Sequence, residues 1–179
     1  LKKKILELAI QSKKDRFWYT KARKNLKFLA KQYNIPYKTI AGITAITSQN
    51  IRLEHNMKIV LDWIKNGANI EACEKIKHCS IVKNNAKMFL QTGQINGPKI
   101  SQFYEALIGN NDAIVLDTHM ASAFNVKNKW SKTKMNLAKK DIQKISKHLN
   151  WKPCQVQAAI WCSIYKQKSN KTQAVNYSF

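Results

Sequence analysis

Nowhere in this 179-residue chain do apolar and polar residues alternate for long enough to make a half-buried strand. Apolar residues recur at helical spacing instead. Residues 15–32 place Phe17, Ala22, Leu26, Leu29 and Ala30 near one face. Residues 51–65 repeat Ile51, His55, Ile59, Asp62 and Trp63, and Asn66-Gly67 is a stop signal. Pro36 precedes a small-residue helix, TIAGITAIT, within 37–47. Shorter helices are predicted near 70–77 and 81–91. Asn96-Gly97-Pro98 opens another over 99–108, with proline in its first turn. Residues 109–112 form a turn, and the apolar run 113–116 is too short for a sheet of its own. Further helices follow at 117–125, 135–149 and 154–167, the last two separated by Trp151-Lys152-Pro153. No internal repeat is present. The expectation is an all-α, two-lobed bundle of about eight to ten short helices. Residues 1–167 would form one domain with a cleft between its lobes, and 168–179 a loosely ordered tail.

A hydrophobic content of 44 % is enough to fill a core. No apolar run reaches the roughly 18–20 residues needed to span a bilayer, so no membrane association is expected. The opening Leu1-Lys2-Lys3-Lys4-Ile5 leads into no apolar core and no small-residue cleavage site, so no signal peptide is expected. The corresponding location is the cytoplasm or the nucleoid, and a monomer is expected. Cys73, Cys79, Cys154 and Cys162 show no CxxC or Cys/His spacing, so buried reduced thiols are expected, with no metal and no cofactor.

Charge narrows the partners. Thirty-two Lys and Arg face ten acids, a net charge of +22. Such an excess favours polyanions, nucleic acid above all, and is blind to base sequence. The only arginines are Arg16, Arg23 and Arg52, and Asn and Ile are abundant, so the lysine content is partly compositional habit.

Chemistry concentrates in 93–124, GQINGPKISQFYEALIGNNDAIVLDTHMASAF. A glycine-containing hairpin leads into a helix whose N-terminus can meet an anion. Eighteen residues after Lys99 comes Asp117, behind Ile114-Val115-Leu116. Asp at a helix start is a common N-cap. A lone carboxylate in a cationic protein also suits a reaction that develops positive charge, and N-glycosidic cleavage, with its oxocarbenium-like sugar, is one.

These residues resemble the helix-hairpin-helix, Gly/Pro-Asp superfamily of DNA glycosylases, the endonuclease III branch in particular. Gly97-Pro98-Lys99 stands for the hairpin end, and Leu116-Asp117-Thr118-His119 for the V-D-T-H signature. The Lys-to-Asp spacing of 18 is that of the branch. Ile46-Thr47-Ser48-Gln49-Asn50, followed by Asn56, is similar to the family's "LLSAQ…N" helix end. The likeness covers roughly 38–125. A set of phage-type proteins with "AGI…S", "GPK…FY", "DTH/DRH" and "QAAxW" patterns is also similar, through Ala41-Gly42-Ile43, Phe103-Tyr104 and Gln157-Ala158-Ala159-Ile160-Trp161. That likeness implies a virus-encoded protein acting in a host cell. Two departures stand out. Gly93 and Gly97 are four apart rather than two, so the helix-hairpin-helix near 81–108 is degenerate. The iron–sulfur cysteines are missing, so that cluster is not carried over.

The resemblance implies excision of a flipped, damaged or modified base from double-stranded DNA, with single strands or RNA as other substrates. Asp117 would be the catalytic aspartate. Lys99 would attack C1′ and form an imine, giving lyase activity, or would only contact phosphate. Gln49, beside Ser48, would fill the gap left by the nucleotide. Asn56, Gly97 and His119 would support the site, and Trp18 within Phe17-Trp18-Tyr19 would stack on the base.

Plainer readings stand beside these. Lys99 can be a solvated lysine, His119 a structural histidine and Asn56 a cap. Two of the three aromatics at 17–19 can pack against the 41–65 helices, and Tyr104 and Trp161 read as core. The rival function is a catalytically inactive glycosylase-fold protein that binds or packages DNA; a third is an enzyme acting on modified viral bases or on RNA. Burial separates the first two: a buried Asp117 beside a base-sized hollow favours the enzyme, a fully exposed cap the binding protein.

Overall fold

The computed structural model describes residues 2–127, 129–170 and 176–177. Among them the regular structure is entirely helical, with no strand. The elements are α1 (Lys3–Gln11), a 3-10 turn (Lys13–Phe17), α2 (Trp18–Gln32), α3 (Tyr37–Thr47), α4 (Leu53–Lys65), a second 3-10 turn (Glu71–Lys75), α5 (Ser80–Thr92), α6 (Pro98–Ile108), α7 (Thr118–Ala123), α8 (Lys132–Leu149) and α9 (Pro153–Ser169). The all-α class and the helix number agree with the periodicity. The chain divides into two compact units: Leu1–Thr20 with Gly109–Ala174, and Lys21–Ile108 with Val175–Phe179.

Each unit is organised by one helix that is buried on nearly all sides over much of its length. In the first it is α9, where nine residues from Cys154 to Ile164 are buried. A helix buried all round needs neighbours on every side, and α9 is packed by α1, the first 3-10 turn, α7 and α8. Ile5, Leu8, Ile114, Met120, Ile142 and Ile160 belong to the resulting core. Its buried polar groups are bonded: the Tyr19 hydroxyl donates to Gln157 Oε1 at 2.8 Å, and Ser163 Oγ donates to Gln11 Oε1 at 2.9 Å.

The second unit is organised by α3, in which every residue from Ile40 to Thr47 is buried. It packs on α4, α5 and α6. Gly42 makes the α5 contact possible. A Cβ there would lie 2.1 Å from the Phe89 ring, so the glycine is the space that the ring fills.

Asparagine does the work of glycine at several helix ends. Asn150 and Asn170 close α8 and α9 in the left-handed region, and Asn34 and Asn125 adopt it just after α2 and α7. After glycine, asparagine tolerates that conformation best, because its short side chain bonds locally.

The structure departs from the periodicity in five places. α1 is an additional helix, burying Ile5, Leu8 and Ala9. The helix expected at 70–77 is a single 3-10 turn, because Ile76 turns extended after burial of Ala72 and Cys73. The buried stripe of α4 is Asn56, Ile59, Val60, Trp63 and Ile64, leaving His55 and Asp62 exposed. The stripe rotates because Asn56 has its hydrogen bonds inside. α8 starts before 135, where the Ser131 hydroxyl accepts from the Lys134 N–H. Finally, α9 continues to Ser169, and Tyr177, expected in a loose tail, is fully buried; residues 171–175 and 178–179 of that tail lie outside the described residues. Cys79 is also exposed, contrary to the expectation of four buried thiols, while Cys73, Cys154 and Cys162 are buried; all four are free.

Gly42→Ala tests the α3–α5 contact. Helix propensity alone would favour alanine by about 0.5–1 kcal/mol. The clash with Phe89 should reverse that, lowering unfolding free energy by about 1–3 kcal/mol in urea melts. Adding Phe89→Leu should recover part of the loss.

Candidate functional site around Asp117

Asp117 follows the buried apolar run 113–116 and is the N-cap of α7. Its backbone is extended (φ −105°, ψ −167°), which turns the side chain back over the helix start. Oδ1 accepts from the Met120 N–H at 2.9 Å. Oδ2 accepts from the Trp161 indole N–H at 2.8 Å. The backbone carbonyl of Asp117 accepts from the Trp130 indole N–H at 3.2 Å. Two tryptophans from outside α7 thus fix both ends of this residue. His119 Nδ1 stands 3.7 Å from Oδ2, too far for a well-formed hydrogen bond but within ion-pair range.

Only 14 % of the Asp117 side chain is exposed. Burial pushes its carboxyl upward, but the His119 ring, the Met120 N–H and the Trp161 N–H outweigh it, and the group lies below its ordinary value. The result is a carboxylate kept ionised while largely shielded from water. Around it is an aromatic cluster. Trp161 and Tyr165 stack with centroids 5.2 Å apart, His119 lies 5.1 Å from Trp161, and Trp18 lies 5.9 Å from Trp161. Trp161, expected in the core, is only half-buried and holds the carboxylate. Trp18, offered as a stacking residue, is buried and makes its ring contact with α9. Phe17 is 40 % exposed, with the Arg16 guanidinium 4.5 Å from its ring.

The remaining candidates lie in the second unit. Asn56 is almost fully buried there. Its Nδ2 donates to Thr44 O at 3.0 Å and to the Tyr177 hydroxyl at 2.7 Å, and its Oδ1 lies 2.6 Å from Thr47 Oγ1. The single Thr47 proton is shared between Asn56 Oδ1 and Ile43 O, which is 2.7 Å away. Burial drives the Tyr177 phenol strongly upward, against the Asn56 hydrogen bond, so it stays neutral. Asn56 therefore ties α3, α4 and Tyr177 together.

Ser48 and Gln49 follow α3. Ser48 Oγ donates to Ala45 O at 2.7 Å, and Gln49 Nε2 donates to Ile46 O at 3.0 Å. The Gln49 amide is folded back on its own helix, and to act as a wedge it would have to swing out. Its backbone carbonyl accepts from His78 Nε2 at 2.8 Å. Between α5 and α6 lies a short loop. Gly93 closes α5 in the left-handed region (φ 73°), and Gly97 (φ 92°) takes the Ser101 N–H on its carbonyl at 2.9 Å. Lys99 is half-exposed in the first turn of α6. The segment joining α5 to α6 thus carries two glycines with positive φ, four residues apart. A hollow of about 480 Å³ opens in this unit, lined by Tyr33, Ile35, Pro36, Thr39, Ile64 and Ala68 among others, and none of the candidate residues lines it.

Among the described residues no group of three or more His, Cys, Asp or Glu side chains is placed to share a metal, and no helix is long and apolar enough to cross a membrane. A family model described as a family of unknown function, DUF7178, matches residues 8–168. The chain belongs to this family. No curated protein and no solved structure matches it. The DUF7178 match contains every candidate residue from Trp18 to His119, while Tyr177 lies beyond it.

Trp130, Tyr165 and Trp161 are the residues that sequence reasoning did not assign to this site. Trp161 had a signal, since it ends the QAAIW pattern, but nothing in the spacing pairs it with a residue 44 positions away.

Two outcomes follow. The Asp117 carboxyl binds its proton more weakly folded than unfolded, so its contribution to stability is complete above the ordinary value of 3.8 and is lost as pH falls through the lowered folded value. Thermal melts from pH 6 to 2 should show this loss in the wild type, and a smaller one in Asp117→Asn. Asn56→Ala should cost about 2–3 kcal/mol in urea unfolding, because Thr44 O and the Tyr177 hydroxyl lose a buried partner.

Proposed function

We propose that this DUF7178 protein is a DNA base-excision glycosylase that cleaves the N-glycosidic bond of a flipped, damaged or modified base, with Asp117 as its catalytic carboxylate. The observation that carries the reading is the state of Asp117: one carboxylate, in a molecule of net charge +22, kept ionised while largely shielded. As the base departs, the sugar becomes cationic, and a nearby anion of fixed orientation lowers that barrier without reorganising. The cluster of Trp161, Tyr165 and His119 beside the carboxylate offers aromatic faces of the kind on which bases stack.

The Gly97-Pro98-Lys99 and Asp117-Thr118-His119 motifs support the same reading through their likeness to the glycosylase superfamily. Lys99 supplies the lyase branch: its amine attacks C1′ as the base leaves with a proton, an imine forms, and β-elimination cleaves the strand. If water attacks instead, the enzyme is monofunctional and Lys99 contacts phosphate.

One observation favours the second reading, an inactive DNA-binding or packaging protein. Both Asp117 oxygens already serve the fold, one capping α7 and the other holding Trp161.

The two readings part on a panel of duplexes carrying damaged, mismatched and modified bases, scored for abasic sites. Asp117→Asn should bind DNA and lose excision by at least a hundredfold. Trp161→Phe loses the same indole hydrogen bond but keeps the carboxylate, so it should retain most of the activity. Excision unchanged in Asp117→Asn would refute the assignment, and no excision by wild type on any substrate would leave the binding protein. Borohydride should trap a covalent complex with wild type but not with Lys99→Ala if the lyase branch operates.

A further inference from the structure

From Arg16 to Leu53 the chain contains no Asp or Glu, yet it carries Arg16, Lys21, Arg23, Lys24, Lys27, Lys31, Lys38 and Arg52. Most of these charges lie on α2. Its inward face is Ala22, Leu26, Leu29 and Ala30, all buried. Two polar residues also turn inward: Arg23 Nε donates to Ala106 O at 2.8 Å, and Asn25 donates to the Tyr177 carbonyl. Lys27 lies over the Tyr37 ring, 5.4 Å from its centroid.

What remains is an outward stripe. Lys21, Lys24, Phe28 and Lys31 recur at three- and four-residue steps, all exposed, over about 15 Å of helix axis. Phe28 sits in the middle of the stripe and is 65 % exposed. Neither feature helps the isolated helix. Lysines three and four apart repel, and α2 has no acid to pair with them. By contrast, α8 is equally lysine-rich, but its Asp141 forms an ion pair with Lys2 at 3.2 Å.

We infer that the outward face of α2 binds a single-stranded nucleic-acid segment, with Lys21, Lys24 and Lys31 on successive phosphates and Phe28 stacked on a base. Charge complementarity selects a polyanion, and the exposed ring among the lysines selects one with unpaired bases. Base–aromatic stacking on a cationic track is the general chemistry of single-strand binding. An anionic membrane would satisfy the charges as well, but a lone aromatic gives little apolar surface to insert. The inference stands on α2 alone and does not rest on the chemistry proposed for Asp117.

The test is fluorescence anisotropy with a labelled mixed-sequence 20-nucleotide single strand and its duplex, across a salt series. The triple variant Lys21→Gln/Lys24→Gln/Lys31→Gln should lower the slope of log K against log salt on the single strand by roughly 2, at about 0.7 per released phosphate contact. Phe28→Ala should weaken single-strand binding by roughly 5- to 150-fold, with a smaller effect on duplex, and Phe28→Trp should restore it. Lys132→Gln/Lys140→Gln/Lys144→Gln on α8 removes the same charge elsewhere. An equal loss in that control would overturn the inference in favour of diffuse attraction. So would unchanged binding in the α2 variants, or tighter α2-dependent binding to phosphatidylserine vesicles than to the oligonucleotide. All substituted side chains are exposed, and unchanged circular-dichroism melts would establish that the variants fold. Excision assays on the same variants keep the two ideas apart. Asp117→Asn should bind as wild type does, whereas the α2 variants should lose binding whatever the outcome at Asp117.

Discussion

Helices α3, from Ile40 to Thr47, and α9, from Cys154 to Ile164, turn almost no surface to water, and the rest of each unit is arranged to cover them. Several polar residues in them find a partner, Gln157 with Tyr19, Ser163 with Gln11 and Thr47 with Asn56, whereas the buried Thr44 hydroxyl has none among the described residues. An unpaired polar group in such a place would cost about 1–3 kcal/mol. This constraint explains why the surrounding helices are amphipathic, and why the lysines are left to the outer faces. It also explains Gly42, where the central helix has to let an aromatic ring approach its backbone.

The Asp117 cluster is built on the edge of α9. Trp161 lies on that helix, packs against the edge of the core and bonds Asp117, so the central helix supplies a donor to the cap of its neighbour. The carboxylate is thereby tied to the most enclosed element of its unit. A group held this way loses little orientation entropy when a positive charge forms beside it. The same rigidity means that a substitution at Asp117 would act on stability as well as on the proposed chemistry, and the Trp161→Phe comparison separates the two.

Much of the fold was legible in the sequence. The α2 stripe Ala22, Leu26, Leu29 and Ala30 is buried as its spacing predicts, and α5, α6 and α9 start within a few residues of their expected positions. Residues whose environment depends on distant parts of the chain were not legible. Asn56 reads as polar and is buried, because Thr44, Thr47 and Tyr177 meet it from three other segments. His55 and Asp62 fit a helical repeat and are exposed, because the buried stripe joins Ile59 and Trp63 to Asn56, Val60 and Ile64 instead. Of the site, Asp117 and His119 were found through a local motif. Trp161, Trp130 and Tyr165 were not, since no local pattern records a contact made across the fold.

By itself, then, the sequence determined the helical class, the positions of most helices, the excess of positive charge and the candidacy of Asp117. Each of these depends on neighbours within a few turns of chain or on composition alone. Tertiary structure decided that Asp117 is shielded and held by two indoles, that Tyr177 is buried, and that Phe28 faces outward among lysines. Those outcomes depend on which surfaces pack together, and packing joins residues that the chain keeps far apart.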